Sequence, residues 1–191
     1  KQLEKYNLVI FDLDNTIYSQ LSYDYKALKQ VSIFLKKKIK TNVFNILYKS
    51  YKKKGKTFDI LFKLLKIKDK KLKIQCINIF QTYKCTNLKK APSLKLLLKR
   101  IYKKKKLFLV TNGNKQRQLN KIKYLNIKKY FIKIFILDGI KLRTKPSIKS
   151  VPTLVKIVKK TPKSIFVGDD IKVDGKFAKN LNIKYLNFKF Q

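Results

Sequence analysis

The chain has 191 residues, 45% of them apolar, and lysines break every apolar run well short of the ~18 residues a membrane span needs. It carries 49 basic residues against 10 acidic ones and no histidine, which excludes Ser-His-Asp triads, Cys-His dyads and the usual Cys/His zinc sites. Acid, base and nucleophile must therefore come from Asp, Lys, Ser, Thr, Tyr or Cys.

The opening segment, KQLEKYNL, has neither a signal-peptide apolar core nor an initiator Met, so a trimmed N-terminus is an expectation. Asn7–Leu13 (NLVIFDL) is an unbroken apolar run of strand length. From Ser19 to Leu88 no strand pattern follows, only amphipathic stretches at Tyr25–Ile39, Val43–Lys52, Phe58–Lys66 and Lys71–Tyr83, with Gly55 and Asp69 near two breaks. Further strand runs come at Lys106–Thr111, Lys133–Leu137, Ser164–Gly168 and Ile183–Phe188. Helical patterns at Ser93–Lys105, Lys115–Leu125, Ser147–Lys159 and Gly175–Leu181 separate or flank them.

Continuous apolar strands alternating with helices predict an α/β fold with a Rossmann-like parallel sheet covered on both faces. Roughly 70 helical residues between the first two strands are too many for a simple crossover. The expected division is an α/β core of residues 1–18 and 89–191 with an inserted α-helical cap of residues 19–88. Cys76 and Cys85 form no CxxC motif and read as reduced residues of a cytoplasmic protein.

The formal charge of +39 is spread along the whole length, and only Arg100, Arg117 and Arg143 are arginines. Arginine is the residue suited to bidentate phosphate and base recognition, while lysine is the generic solvated cation. The surplus of Lys, Ile and Asn reads mainly as drift in an AT-rich genome, with a selected polyanion surface as the competing reading. No specific nucleic-acid partner and no membrane partner is expected, and oligomeric state is not legible.

Ligands of an open parallel sheet bind beyond the carboxyl ends of its strands. Those ends read Asp12-Leu13-Asp14-Asn15-Thr16, Thr111-Asn112-Gly113 and Gly168-Asp169-Asp170, with Asp174 just beyond and Lys145-Pro146 between the second and third. Five of the nine aspartates fall in two short windows. Each residue has a plainer reading. Asp12 or Asp14 alone could cap a turn, Thr111-Asn112-Gly113 is a good generic turn, and Lys145 is one lysine among many. Asp170 and Asp174 could cap a helix, and Gly168 could serve a close backbone approach.

Taken together and in order, DLDNT, TNG, KP and GDD with Asp174 resemble the four motifs of the haloacid dehalogenase (HAD) superfamily of aspartate-nucleophile hydrolases. The segment NGNKQRQLNKIKYLNIKKYF is similar to the one that follows the second motif in small-metabolite phosphatases of that family. Two positions depart from its pattern: Phe177 stands where a small residue is usual, and Asn182 where Gly is common, although Asn tolerates a left-handed backbone.

The resemblance implies that Asp12 is the nucleophile and that Asp14 is the general acid and base. It implies that Lys145 offsets phosphoryl charge, and that Thr111, with Asn112 beside it, binds the phosphoryl oxygens. Mg²⁺ is the cofactor implied, held by Asp12, by Asp14 through its carbonyl and by Asp169, with Asp170 and Asp174 supporting. Alternation along a strand would put Asp12 and Asp14 on one side, where two carboxylates repel unless a cation joins them. The expected activity is a Mg²⁺-dependent phosphatase acting on a small phosphorylated metabolite, a sugar phosphate among the candidates. A polynucleotide-end phosphatase and a catalytically silent binder of anionic partners are the alternatives.

Overall fold

A computed structural model of the protein describes residues 2–53, 56–85, 88, 92–139 and 143–190. Gly55, one of the expected helix breaks, lies outside the described residues. The chain divides into two compact units, Lys1–Gln20 with Thr86–Gln191, and Leu21–Cys85.

The first unit is built on a five-stranded, all-parallel sheet: β1 (Leu8–Phe11), β2 (Lys106–Asn112), β3 (Lys133–Leu137), β4 (Ser164–Gly168) and β5 (Lys184–Asn187). The strand order is β3-β2-β1-β4-β5. Thus β1 is central, with Leu8 aligned to Lys106 on one side and to Ser164 on the other. All of β1 and β4 is buried, and so is β2 from Leu107 to Thr111. Strands covered on both faces need apolar side chains at every position, which explains the unbroken runs. Edge strand β3 is half-buried over most of its length, and β5 is half-buried in the middle and exposed at both ends.

Alternate residues of β1 serve opposite faces. Leu8 and Ile10 join Phe108, Val110, Leu154 and Phe166 in one core cluster, while the Phe11 ring meets Phe131 edge-on at 6.2 Å. The crossover helices of this unit are α5 (Pro92–Ile101), α6 (Lys115–Tyr124), α7 (Pro152–Lys159) and α8 (Lys176–Asn180). Helix α7 begins at Pro152, later than the expected Ser147. Proline suits the first helical turn, where its missing N–H is not needed. Before α8 the chain makes a π-helical turn, Ile171–Gly175. Asn182 takes the left-handed backbone expected of it, with φ 56°.

The second unit is helical: α1 (Gln20–Ile39, entering from the first unit), α2 (Phe44–Lys52), α3 (Thr57–Leu64) and α4 (Lys70–Thr82). Its core gathers Leu28, Val31, Leu35, Leu47, Leu61 and Cys76 at helical spacing. Asp69 caps α4, its carboxylate accepting from the Leu72 amide at 2.9 Å. The ends of the unit meet. The Tyr23 hydroxyl donates to the Tyr83 carbonyl at 2.6 Å, and the two rings pack edge-on at 5.5 Å. No helix among the described residues is long and apolar enough to cross a membrane.

Phe177, the large residue at an expected small position, is fully buried in the sheet core with its ring 5.5 Å from that of Phe166. It fills volume rather than crowding the loop before it. Phe177→Ala should therefore cost about 3–5 kcal/mol, as large-to-small core changes of an aromatic do. The measurement is the shift in urea midpoint at unchanged slope.

Candidate active site

Strand β1 ends at Phe11, and the Asp12 amide extends the ladder by one bond, donating to the Val167 carbonyl at 2.9 Å. Asp12 therefore stands at the carboxyl end of the central strand. Asp14 lies beyond it in a turn, next to Asn15 with φ 55°. The strand stops before both aspartates, which are near enough for the Asp14 charge to act on Asp12. Each meets a different lysine.

Lys145 holds the first half of the site. Its side chain is buried, and its Nζ lies 2.5 Å from Asp12 Oδ1 and 2.6 Å from Asp174 Oδ1. A reciprocal pair fixes its backbone to the end of β2. The Lys145 amide donates to Asn112 Oδ1 at 2.8 Å, and Asn112 Nδ2 donates to the Lys145 carbonyl at 3.2 Å. Asn112 thus joins two loops as well as flanking Thr111, which is itself 1% exposed.

Asp14 belongs to the second half. Lys121 Nζ lies 2.8 Å from its Oδ1 and 3.1 Å from its Oδ2. Gln118 Nε2 lies 2.9 Å from Oδ2, and the Tyr18 hydroxyl donates to Oδ1. The same Gln118 nitrogen is 2.7 Å from Thr111 Oγ1 and 2.8 Å from the Asn112 carbonyl. It ties Asp14 to the end of β2.

A carboxylate group forms where β1 and β4 end. One oxygen from each of Asp12, Asp169 and Asp174 lies within 4.8 Å of the others. Asp174, expected in a supporting place, stands inside this group. The reason is local: the π-helical turn swings its side chain back over Gly168, where a Cβ would collide with the Asp174 carboxylate. Asp170 faces elsewhere, its carboxylate accepting from the Lys172 and Val173 amides at 2.8 and 3.1 Å as a cap. The Asp14 carboxylate is not part of this group.

Burial pushes the Asp12 carboxyl up to about 7; Lys145 opposes the rise, and Asp174 and Asp14 add to it. Burial, then Asp174, also raises Asp169. Burial would raise Asp14 too, but the charge and hydrogen bond of Lys121, with Tyr18 and Gln118, hold it below the usual carboxylate range. For Lys145, burial would favour the neutral amine, yet Asp12 and Asp174 prevail and raise its pKa. Three carboxylates of hard oxygen donors, offset by one ammonium, fit a divalent cation such as Mg²⁺.

Sequence reasoning missed Gln118, Lys121 and Tyr18. Gln118 and Lys121 are three apart on α6 and so share a face. That face buries Arg117, Gln118, Asn120 and Lys121, a polar set on the side of a helix that normally carries leucine. The run of polar residues where an apolar stripe belongs was the available signal.

The raised Asp12 carboxyl has a consequence for stability. A group with a raised folded pKa contributes stability that is complete below its unfolded value, here 3.8, and is lost as pH rises through about 7. Metal-free protein should therefore lose Asp12's contribution across that window. Asp12→Asn should remove this slope, so variant-minus-native stability should rise with pH by up to about 1.4 kcal/mol per unit. Urea titrations in EDTA at successive pH values measure it.

In comparisons with known proteins, the haloacid dehalogenase-like hydrolase family matches residues 9–188. No curated protein matches the chain by sequence. Among solved structures, a candidate phosphatase from Clostridium difficile is similar at TM-score 0.71 and 21% identity, covering 96% of this chain and 85% of that one. A candidate β-phosphoglucomutase from Thermotoga maritima gives TM-score 0.71 and 22% identity over 95% and 84%. The candidate HAD hydrolase YfnB from Bacillus subtilis, solved bound to magnesium, gives 0.67 and 17% over 95% and 88%. With the family matched over nearly its full length, this chain belongs to the haloacid dehalogenase-like hydrolases.

Proposed function

We propose that the protein is a Mg²⁺-dependent phosphatase acting on a small phosphorylated metabolite through an aspartyl-phosphate on Asp12. The observation that carries this reading is the carboxylate group of Asp12, Asp169 and Asp174 at adjacent strand ends, with the buried Lys145 ammonium against two of its members. Phosphate-ester chemistry is also what the descriptions of the Clostridium and Thermotoga proteins name.

Asp12, Asp169 and Asp174 would hold the metal, together with the Asp14 carbonyl that the family resemblance suggests. Bound there, Mg²⁺ would supply charge stabilisation to the phosphoryl oxygens. The raised Asp12 carboxyl supports this assignment, since a cation among the acids would favour the ionised form the nucleophile needs. Magnesium is the ion in the YfnB structure, which suggests the choice of metal.

In the proposed reaction Asp14 takes up a proton from solvent as the anionic ester binds; an Asp12 oxygen attacks phosphorus, the ester P–O bond breaks, and Asp14 delivers that proton to the leaving oxygen. Asp14, now a base, takes a proton from water, which attacks the aspartyl-phosphate and releases inorganic phosphate. Thr111 and Lys145 bind the transferring oxygens throughout. Asn112 keeps the Lys145 loop in register with β2. The helical unit Leu21–Cys85 is assigned the role of a cap that excludes bulk water and polymers.

Hydrolysis of p-nitrophenyl phosphate should proceed with Mg²⁺ and stop in EDTA, read as p-nitrophenolate release. Asp12→Asn should abolish turnover while leaving the circular dichroism spectrum unchanged, because an amide is nearly isosteric but a far poorer nucleophile. Near-native activity of Asp12→Asn at saturating Mg²⁺ would defeat the covalent mechanism. A panel of phosphorylated metabolites with phosphate release as readout identifies the substrate.

A further inference from the structure

Among the described residues, two lysines are buried, Lys121 and Lys145, and both meet carboxylates of the site. Lys145 is one of the motif residues; Lys121 is not. A lysine ammonium is buried only where a partner compensates its lost hydration. Lys121 is held by Asp14, contacted at both oxygens.

The geometry around Asp14 leaves its carboxylate little freedom. Oδ1 receives Lys121 and the Tyr18 hydroxyl, and Oδ2 receives Lys121 and the Gln118 amide. The Tyr18 ring also lies under the ammonium, with Nζ 5.7 Å from its centroid. Gln118 in turn contacts Thr111, so the orientation of Asp14 is tied to the residue assigned to the phosphoryl oxygens. Helix α6 delivers both side chains from one face. Its start is fixed by Asn114, whose side chain accepts from the Arg117 amide at 3.1 Å, directly after the β2 end.

We propose that Lys121 is a positioning residue: its buried ammonium, with the Gln118 amide and the Tyr18 hydroxyl, sets the direction in which Asp14 faces the leaving-group oxygen of the phosphate ester. This rests on the phosphatase reading above. Lys121 acts through Asp14 and not on the phosphoryl group. Its loss must therefore resemble a partial loss of Asp14 and disappear when Asp14 can no longer transfer a proton.

The test is a double-mutant cycle on the full chain with saturating Mg²⁺. It uses wild type, Lys121→Met, Asp14→Asn and the double variant, with p-nitrophenyl phosphate and an alkyl phosphate as substrates. Lys121→Met should lower kcat on the alkyl phosphate by about 10–100-fold, with KM changed by less than about threefold. The loss should be smaller on p-nitrophenyl phosphate, whose leaving group hardly needs a proton. In the Asp14→Asn background the same substitution should cost less than about threefold, because the two residues act as a unit. The double variant removes both members of the Lys121–Asp14 pair, so its comparison with Asp14→Asn decides the matter even if Lys121→Met alone folds poorly. Equal fractional losses in both backgrounds, or equal losses on both leaving groups, would overturn the proposal and leave the phosphatase reading intact. A wild type inactive on every phosphate monoester would overturn both.

Discussion

Four aspartates stand close together at the strand ends of a protein that has few acids to spend, and their mutual repulsion is what the rest of the site must answer. Two buried ammonium groups do so, Lys145 against Asp12 and Asp174, Lys121 against Asp14. Buried ion pairs add little net stability compared with well-packed apolar residues, but breaking one leaves an uncompensated charge. The arrangement is thus held by mutual dependence. Removing any member exposes the desolvation cost of its partner.

The sheet makes this possible. With β1 between β2 and β4, residues at the carboxyl ends of three neighbouring strands stand side by side: Asp12 just after β1, Thr111 next to last in β2 and Asp169 just after β4. Adjacent strands are about 4.8 Å apart, so groups at neighbouring ends can share one ion or one phosphoryl group without further chain movement. Gly168 completes the fit by being small. A methyl group there would occupy the space the Asp174 carboxylate needs.

The strands and the order of the four motifs were legible because both leave local marks, apolar runs and polar residues at their ends. The helical insertion was legible from the absence of strand pattern over a long stretch. What escaped was set by turns and by background. Alternation along β1 could not tell which cations would face Asp12 and Asp14, because the strand ends at Phe11 and both lie beyond it. Asp170 and Asp174 could not be ranked from spacing, since a π-helical turn carries an extra residue and changes which one points back. Lys121 looked like any other member of a set of 49 basic residues. The polar face of α6 was the one local sign that it differs from the solvated ones.

The contact between Tyr23 and Tyr83 bears on how the molecule is made as well as on what it is. Strand β1 leaves the ribosome first among the strands, yet its partners are β2 and β4, far along the chain. Pairing at such sequence separation is slow, because loop-closure entropy is lost before contacts repay it. The tyrosine pair joins residues 60 apart. Once it forms, the insertion no longer counts as slack, and the effective loop between β1 and β2 shrinks to little more than a third. By the logarithmic dependence of closure on length, that saves about 1 kcal/mol. An insertion with stitched ends lets a central strand wait for its neighbours at little entropic disadvantage.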